Sequence, residues 1–343
     1  MGDILHALPA VTALRSVLPA CTIGWAVEPQ WEALLRASAC DRPLLRGPQM
    51  PVVDILHRIP AKQWARAPWS PTTWRQIAAV RRDLQQRHYD VCVDLQGAVR
   101  SAWIGRMAAA ATLIGEARPR EPLAGWLFQK KIETHGVHVI EQAMEVTSAV
   151  LDKALPECPV LLPVEEETER WCDAWLAERG IQRFVVVNPG AGWGAKRWPV
   201  ERYAAVALEL GRLGWTTIVN AGPGESELAE AVCASASGCA VSLQGGLGRL
   251  IACMRRAALF IGGDTGPLHL AAALQVPVVG IYGPTDPARN GPYGTRARVL
   301  RHPASRRDHT RRSEPESGLL TITVEQVLQA VHDLLQEPLP AYE

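Results

Sequence analysis

The sequence predicts an α/β protein with parallel sheets, in two domains of similar size. Three observations predict it. Short apolar runs of strand length alternate with helix-period patterns along all 343 residues, the mark of strand–helix–strand units. A Pro-rich break at Leu155-Pro156-Glu157-Cys158-Pro159 runs through Pro163 into an acidic stretch near mid-chain, and domains part at such segments. In the second half, buried-type runs end repeatedly in Gly-rich polar turns, as strands do at the ligand-binding edge of an open parallel sheet. The expected domains are residues 1–157 and 158–343.

In chain order, strands are expected at 22–27, 91–95, 184–188, 216–220, 259–262 and 278–282, where the runs are β-rich and bounded by turn residues. Helices are expected at 8–18, 74–86, 165–178, 200–213, 226–236, 247–256 and 324–335. The first carries Pro9 in its first turn, where a missing N–H is harmless. The chain opens on Met1-Gly2-Asp3-Ile4-Leu5-His6, which reads as the end of a strand turning into a helix. A doubly wound sheet begins with a strand, so about ten residues of first strand are expected ahead of Gly2. Either the start codon is placed late or the domain lacks its central strand, which would destabilise it severely because that strand is buried on both faces.

Composition narrows the function. Hydrophobic residues make up 48% of the chain, enough for real cores. The net charge of +1 gives no global field for nucleic acid, and none is expected as a partner. Basic residues cluster locally, at 118–131 and 301–312. Eight cysteines without a C-x-x-C pair read as reduced core thiols of a cytosolic protein. There is no apolar run of about 18 residues to span a membrane, and no signal peptide.

The stretch 261–285, IGGDTGPLHLAAALQVPVVGIYGPT, is the most informative. It reads as strand, polar turn, helix, strand, with the helix at 268–274. Asp264-Thr265-Gly266 opens that helix: Gly266 lets a ligand approach the backbone, Thr265 offers a hydroxyl, and the helix N-terminus attracts an anion. A plain N-cap at Asp264 is the alternative, but it would not call for the surrounding glycines. His269, one turn on, either contacts the same phosphate or is a hydrogen-bonded helix histidine. The loop 188–199, Asn-Pro-Gly-Ala-Gly-Trp-Gly-Ala-Lys-Arg-Trp-Pro, can bring Lys196 or Arg197 to a phosphate, with Trp198-Pro199 packing at the next helix. It lacks the Walker A spacing. The loop 220–225 ends in Glu225, which either accepts hydrogen bonds from ribose hydroxyls or complements a helix dipole. Three such loops describe a nucleotide-diphosphate pocket in the C-terminal half.

In the N-terminal half Asp3 is a candidate general base or an N-cap, with His6 one turn on. Asp94-Leu95-Gln96-Gly97 ends a strand and can line an acceptor cleft. Residues 118–131 mix bases with aromatics, which suits an anionic amphipathic acceptor, a membrane surface or a solvated lid. No H-E-x-x-H, G-x-S-x-G, metal-spaced Cys/His cluster or D-x-D pair occurs, so a metal-independent mechanism without a cofactor is expected.

The residues GDILHALPAVTALR (2–15), DLQG (94–97), NPGAGWGAKRWP (188–199), GDTGPLHLAAAL (263–274), YGPTDP (282–287) and GPYG (291–294) resemble glycosyltransferase family 9, the ADP-heptose:lipopolysaccharide heptosyltransferases. REPLAGWLF (120–128) resembles the heptosyltransferase I branch. The resemblance implies a GT-B architecture, two Rossmann-like domains facing across a cleft, with the first strand of the N-terminal domain missing here and the last helix packing back on that domain. It implies inverting, metal-independent transfer of heptose from ADP-L-glycero-β-D-manno-heptose to a Kdo residue of the lipopolysaccharide inner core. The enzyme would be cytoplasmic and peripheral on the inner membrane. By position Asp3 matches the catalytic base. Lys196, Glu225, Asp264, Thr265, Gly266 and His269 match donor contacts. Arg120 matches a basic residue facing the acceptor's anionic groups, with Gln96 beside it. The residues alone leave open another nucleotide sugar or acceptor, a nucleotide-sugar epimerase, or a non-catalytic binding protein.

Overall fold

In the computed structural model, which describes residues 1–37, 46–307 and 312–336, the chain divides into two units, residues 3–165 with Met1 and the stretch from Glu166 onward. The break falls after Glu165 rather than after residue 157. The Pro-rich segment stays attached to the first unit: the Val164 N–H donates to the Pro48 carbonyl at 2.8 Å, and Leu162 is buried.

Unit 2 runs α6 (Glu166–Glu178), β6 (Phe184–Asn188), α7 (Val200–Arg212), β7 (Thr216–Val219), α8 (Ser226–Ser235), β8 (Ala240–Ser242), α9 (Leu247–Arg256), β9 (Phe260–Gly263), α10 (Gly266–Ala273), β10 (Val278–Tyr282), α11 (Pro287–Asn290), β11 (Ala297–Arg301), α12 (Ser317–Thr321) and α13 (Val324–Gln336). Its six strands form one parallel sheet in the order β11-β10-β9-β6-β7-β8. The order reverses between β6 and β9, the point where open α/β sheets leave a crevice at the strand carboxyl ends. Every residue of β6, β9 and β10 is buried, as expected of parallel strands with helices on both faces. Val327, Ala330, Val331 and Leu334 of the last described helix, α13, belong to the core of unit 2, with Leu210 of α7 and Ile281 of β10. That apolar stripe at helical spacing has its partner surface within its own unit.

Unit 1 runs α1 (Gly2–Val17), β1 (Gly24–Val27), β2 (Ile55–Arg58), α2 (Ala61–Arg66), α3 (Pro71–Gln86), β3 (Val91–Asp94), α4 (Val99–Met107), β4 (Thr112–Glu116), β5 (Lys130–Ile132) and α5 (Val139–Ser148). Helix α1 starts at Gly2, so Pro9 lies in its interior rather than in its first turn, and the carbonyl one turn back, Leu5, has no N–H from that position.

The strands of unit 1 form two parallel sheets, β1-β2 and β3-β4-β5. Set end to end as β2-β1 and β3-β4-β5, they repeat the order of unit 2 with its first strand, β6, left out. Among the described residues no strand precedes α1, and neither β1 nor β3 pairs on its second edge. Burial differs between the two units: Ala26 of β1 and Val91 of β3 are exposed, where β6, β9 and β10 expose nothing. A polar tie links the two sheets. His57 of β2 holds Asp83 of α3 through Nδ1 at 2.5 Å and the Tyr89 hydroxyl through Nε2 at 2.8 Å. Tyr89, just ahead of β3, lies over Gly24 of β1, where a Cβ would come within 1.9 Å of the hydroxyl oxygen. Amide hydrogen exchange is therefore expected to be faster in β1 and β3 than in β6, β9 and β10, because these strands are less buried and open more readily. Equal protection in both sets, read by mass spectrometry, would contradict this. No described helix is long and apolar enough to cross a membrane.

Candidate active site

In unit 2 the polar loops leave the carboxyl ends of β6, β7, β9 and β10, so the topology brings them to one edge of the sheet. Loops after β6 and β7 share a sequence device. Asn188 ends β6 and Asn220 directly follows β7, and each is followed by x-Gly-x-Gly. The Asn220 amide donates to Asn188 Oδ1 at 2.6 Å, and the Asn188 amide donates to the Gly190 carbonyl at 2.8 Å. This buried pair stitches the two loops together. Neither asparagine was anticipated as a site residue, although the repeated pattern carries the signal.

Asp264 is buried after β9. Its Oδ2 takes the Lys196 ammonium at 2.5 Å and its Oδ1 meets His269 Nε2 at 3.1 Å. Burial by itself would raise the Asp264 pKa, but the His269 hydrogen bond and the Lys196 charge outweigh it and hold the carboxyl well below the usual range. Asp264 is thus not the N-cap of α10; that position belongs to Thr265. Pro267 has no N–H and Leu268 donates back to the Thr265 carbonyl at 3.1 Å. The mouth of α10 is left with the backbone of Thr265 and Gly266, a smaller set of donors than a full first turn supplies. The Lys196 ammonium also donates to the Asp264 carbonyl at 3.2 Å and sits 4.4 Å from the centre of the Trp193 ring. An ammonium has three N–H donors, so two are spent on Asp264 and one remains.

Glu225 sits just before α8 and accepts from the Gly222 N–H at 3.2 Å, with Arg197 3.6 Å away. Its carboxylate lies so close to Gly190 that a Cβ there would come within 2.0 Å of Oε2. The glycine in the β6 loop therefore makes room for the acid of the β7 loop. Trp198 is buried, donating to the Ile322 carbonyl at 3.0 Å and meeting Tyr203 edge to face, so it serves packing. Thr285, in the loop after β10, is buried with a hydroxyl that has no hydrogen-bond partner.

Unit 1 gathers a second set. Asp3 lies in the first turn of α1, past its N-cap position, and is half exposed. Its Oδ2 accepts from Gln96 Nε2 at 2.7 Å and stands 3.8 Å from Arg120 Nη1. The turn after β3 builds this arrangement. Buried Asp94 accepts from the Gln96 N–H at 2.8 Å, the Gly97 N–H at 2.9 Å and the Ser101 hydroxyl at 2.8 Å. Burial raises its pKa against those hydrogen bonds. Gly97 has φ +65, and a Cβ there would come within 2.9 Å of the Arg120 nitrogen, so only glycine lets the 119–120 segment pass. The Glu121 N–H then donates to the Gly97 carbonyl at 2.9 Å. Gln96 and Arg120 are thereby both brought to Oδ2 of Asp3. His6 instead turns toward His138, ring to ring at 6.1 Å.

A Rossmann-order sheet with phosphate-type loops at its switch point, together with a second parallel unit carrying a half-exposed carboxylate, has the make-up of a GT-B glycosyltransferase, and solved structures share the fold. E. coli heptosyltransferase WaaC with ADP superposes at TM-score 0.77, with 24% identity over 97% of this chain and 96% of that one. E. coli ADP-heptose lps heptosyltransferase II superposes at 0.74, with 20% identity over 97% and 95%. The chain belongs to glycosyltransferase family 9 (heptosyltransferase), whose model matches residues 77–319, and it is a glycosyltransferase. It is similar to lipopolysaccharide heptosyltransferase 1 of Pseudomonas aeruginosa, 28% identical over 86% of this chain and 79% of that protein. It is also similar to the enzyme of the same name from Escherichia coli K12, 27% identical over 88% and 91%.

Proposed function

We propose that this protein builds the lipopolysaccharide core: it transfers heptose from ADP-L-glycero-β-D-manno-heptose to a Kdo residue of the inner core, with inversion and without a metal, at the cytoplasmic face of the inner membrane. The observation that carries the donor side is the Asp264–Lys196 pair beside the mouth of α10 at the switch point of unit 2. Relatives of this name and a structural neighbour solved with ADP support it.

In the proposed reaction the donor diphosphate lies against Thr265 and Gly266, and Lys196 meets it with the one N–H that Asp264 leaves over. Asp264, itself met by His269, holds Lys196 in place. Glu225 receives the ribose hydroxyls. Asp3, oriented by Gln96, takes the proton of the Kdo hydroxyl as its oxygen attacks C1 of the heptose. The C1–O bond to ADP breaks, and Lys196 with the helix mouth stabilises the charge on the leaving diphosphate. Arg120 receives the acceptor's anionic groups.

The test is incubation with ADP-heptose and Kdo-lipid A, the product being read by mass spectrometry and its anomeric configuration by NMR, with and without EDTA. Expected is one heptose added with inverted configuration in both cases. Binding of ADP-heptose without turnover would point to a non-catalytic protein, and turnover only with another nucleotide sugar or acceptor to a different member of the family. Gly190→Ala is expected to weaken ADP binding about fivefold, the size of one lost hydrogen bond, with little change in melting temperature. The Glu225 carboxylate is the end of a flexible chain and swings aside. Calorimetry with ADP measures the effect.

A further inference from the structure

We propose that unit 1 docks on an anionic lipid surface through the carboxyl edge of its strands, with a set of tryptophans entering the interface and arginines on the headgroups. The large exposed apolar side chains are unevenly spread. Trp69 is 89% exposed and Trp126 86%, with Leu123, Trp74 and Trp103 also exposed, and all five belong to unit 1. Among the described residues of unit 2 the large exposed apolar side chains are Leu213, Val299 and Leu320, and no tryptophan is among them. Exposed aromatic area on this scale marks an interaction surface.

Topology collects these side chains. Trp69 and Trp74 follow β2, Trp103 sits on α4 after β3, and Leu123 and Trp126 follow β4. Residues Pro122–Trp126 form a 3₁₀ turn. At three residues per turn Leu123 and Trp126 share one face, while Ala124 and Gly125 between them are buried. The helices α3 and α4 pack side by side through Ile77, Val80 and Ile104, with Leu84 beside Met107, so the segments opening them emerge together. Asp3 reaches the same edge through Gln96.

Charge selects the occupant. Residues 58–131 carry thirteen Lys and Arg against five Asp and Glu. Arg66, Arg75, Arg100, Arg118 and Arg120 are exposed on the segments that bear the tryptophans. Indole rings settle at the headgroup level of a bilayer, and basic side chains are drawn to anionic lipid. A second copy suits this face poorly, since a two-fold interface would set the basic patch against itself. As the docking of an enzyme to the membrane that carries its acceptor, the inference rests on the function proposed above; lipid binding itself is measured independently of it.

The test is flotation with phosphatidylcholine vesicles, with and without phosphatidylglycerol. Binding is expected to the anionic vesicles, to be several-fold weaker to neutral ones, and to fall with salt. Trp69→Ser/Trp126→Ser is expected to weaken it about tenfold, and Arg100→Glu/Arg118→Glu by about fivefold or more for each charge. Both variants should keep the parent's circular dichroism, ADP affinity and transfer to a deacylated Kdo saccharide, while transfer to acceptor in vesicles drops. Equal binding to neutral and anionic vesicles, or variants that bind like the parent, overturn the proposal. So does a dimer in sedimentation equilibrium that Trp69→Ser/Trp126→Ser dissociates in a protein that does not bind vesicles. Vesicle binding without heptose transfer leaves the docking surface standing and removes the proposed reaction; transfer without vesicle binding does the reverse.

Discussion

Asp3→Asn is expected to lower kcat for heptose transfer by roughly 10²–10⁴, the contribution of a positioned general base, while ADP affinity and the unfolding transition stay at their parental values. The substitution keeps an oxygen that can still accept from Gln96, whose amide lies 2.7 Å from the Asp3 carboxylate, so the local geometry has little cause to move. What it removes is the capacity to take a proton. Asp3 is half exposed, and its contacts at this edge come from an amide and an exposed arginine, a setting open to an incoming hydroxyl. Single-turnover transfer assays with saturating ADP-heptose, together with calorimetric ADP binding, check the expectation. Parental turnover in Asp3→Asn would remove Asp3 from the reaction and leave the donor site untouched. A matching loss of ADP affinity would show that the substitution acts through structure.

Lys196→Met is expected to cost unit 2 roughly 3–5 kcal/mol of stability, the range for removing one partner of a buried ion pair, and to weaken ADP binding as well. Asp264 and Lys196 are both largely buried, with side-chain exposures of 7% and 11%. Without the ammonium Asp264 keeps only the His269 ring among its side-chain partners. The loss should depend on pH with a definite sign. In the parent, the folded-state pKa of Asp264 lies well below the ordinary value, near 4 for a carboxyl in an unfolded chain. Its stabilising contribution is therefore present above about pH 4 and is lost as pH falls further, toward the folded value. In Lys196→Met, burial is opposed by His269 alone and the carboxyl takes up its proton at higher pH. The stability gap between parent and variant should be widest near neutrality and narrow on acidification, as the variant's Asp264 takes up its proton while the parent's stays ionised. Urea unfolding of both proteins across this range measures it. A gap independent of pH would mean that Lys196 stabilises through packing, for instance on Trp193, rather than through charge.

Much of the fold was legible because parallel strands buried on both faces write themselves as apolar runs. FVVVN and VVGIY are such runs, and β6, β9 and β10 fall where they were expected. The strands that went unread, β2, β5, β8 and β11, are short edge strands such as KKI and ARVLR. One side of each faces solvent or loop, so the apolar signal is diluted. Strand β4 was missed although Leu113 and Ile114 are buried, because its five residues follow an alanine run with no turn signal between. Helix α1 was placed too late because Pro9 reads as a first-turn residue, whereas tertiary packing of Leu5 and Leu8 keeps the earlier turn helical.

Sequence alone determined the alternation of strand and helix, the division into two units, the family, and the candidate residues at the loops, because periodicity, proline breaks and glycine spacing are local properties of the chain. Tertiary structure decided what those residues do to one another. It gave Lys196 to Asp264, set Glu225 against Gly190, turned His269 toward a carboxylate and brought Gln96 and Arg120 to Asp3. Apart from His269 and Asp264, five positions apart, these are pairings between residues dozens of positions apart. Burial and distance set their energies, and neither is written in the order of the residues.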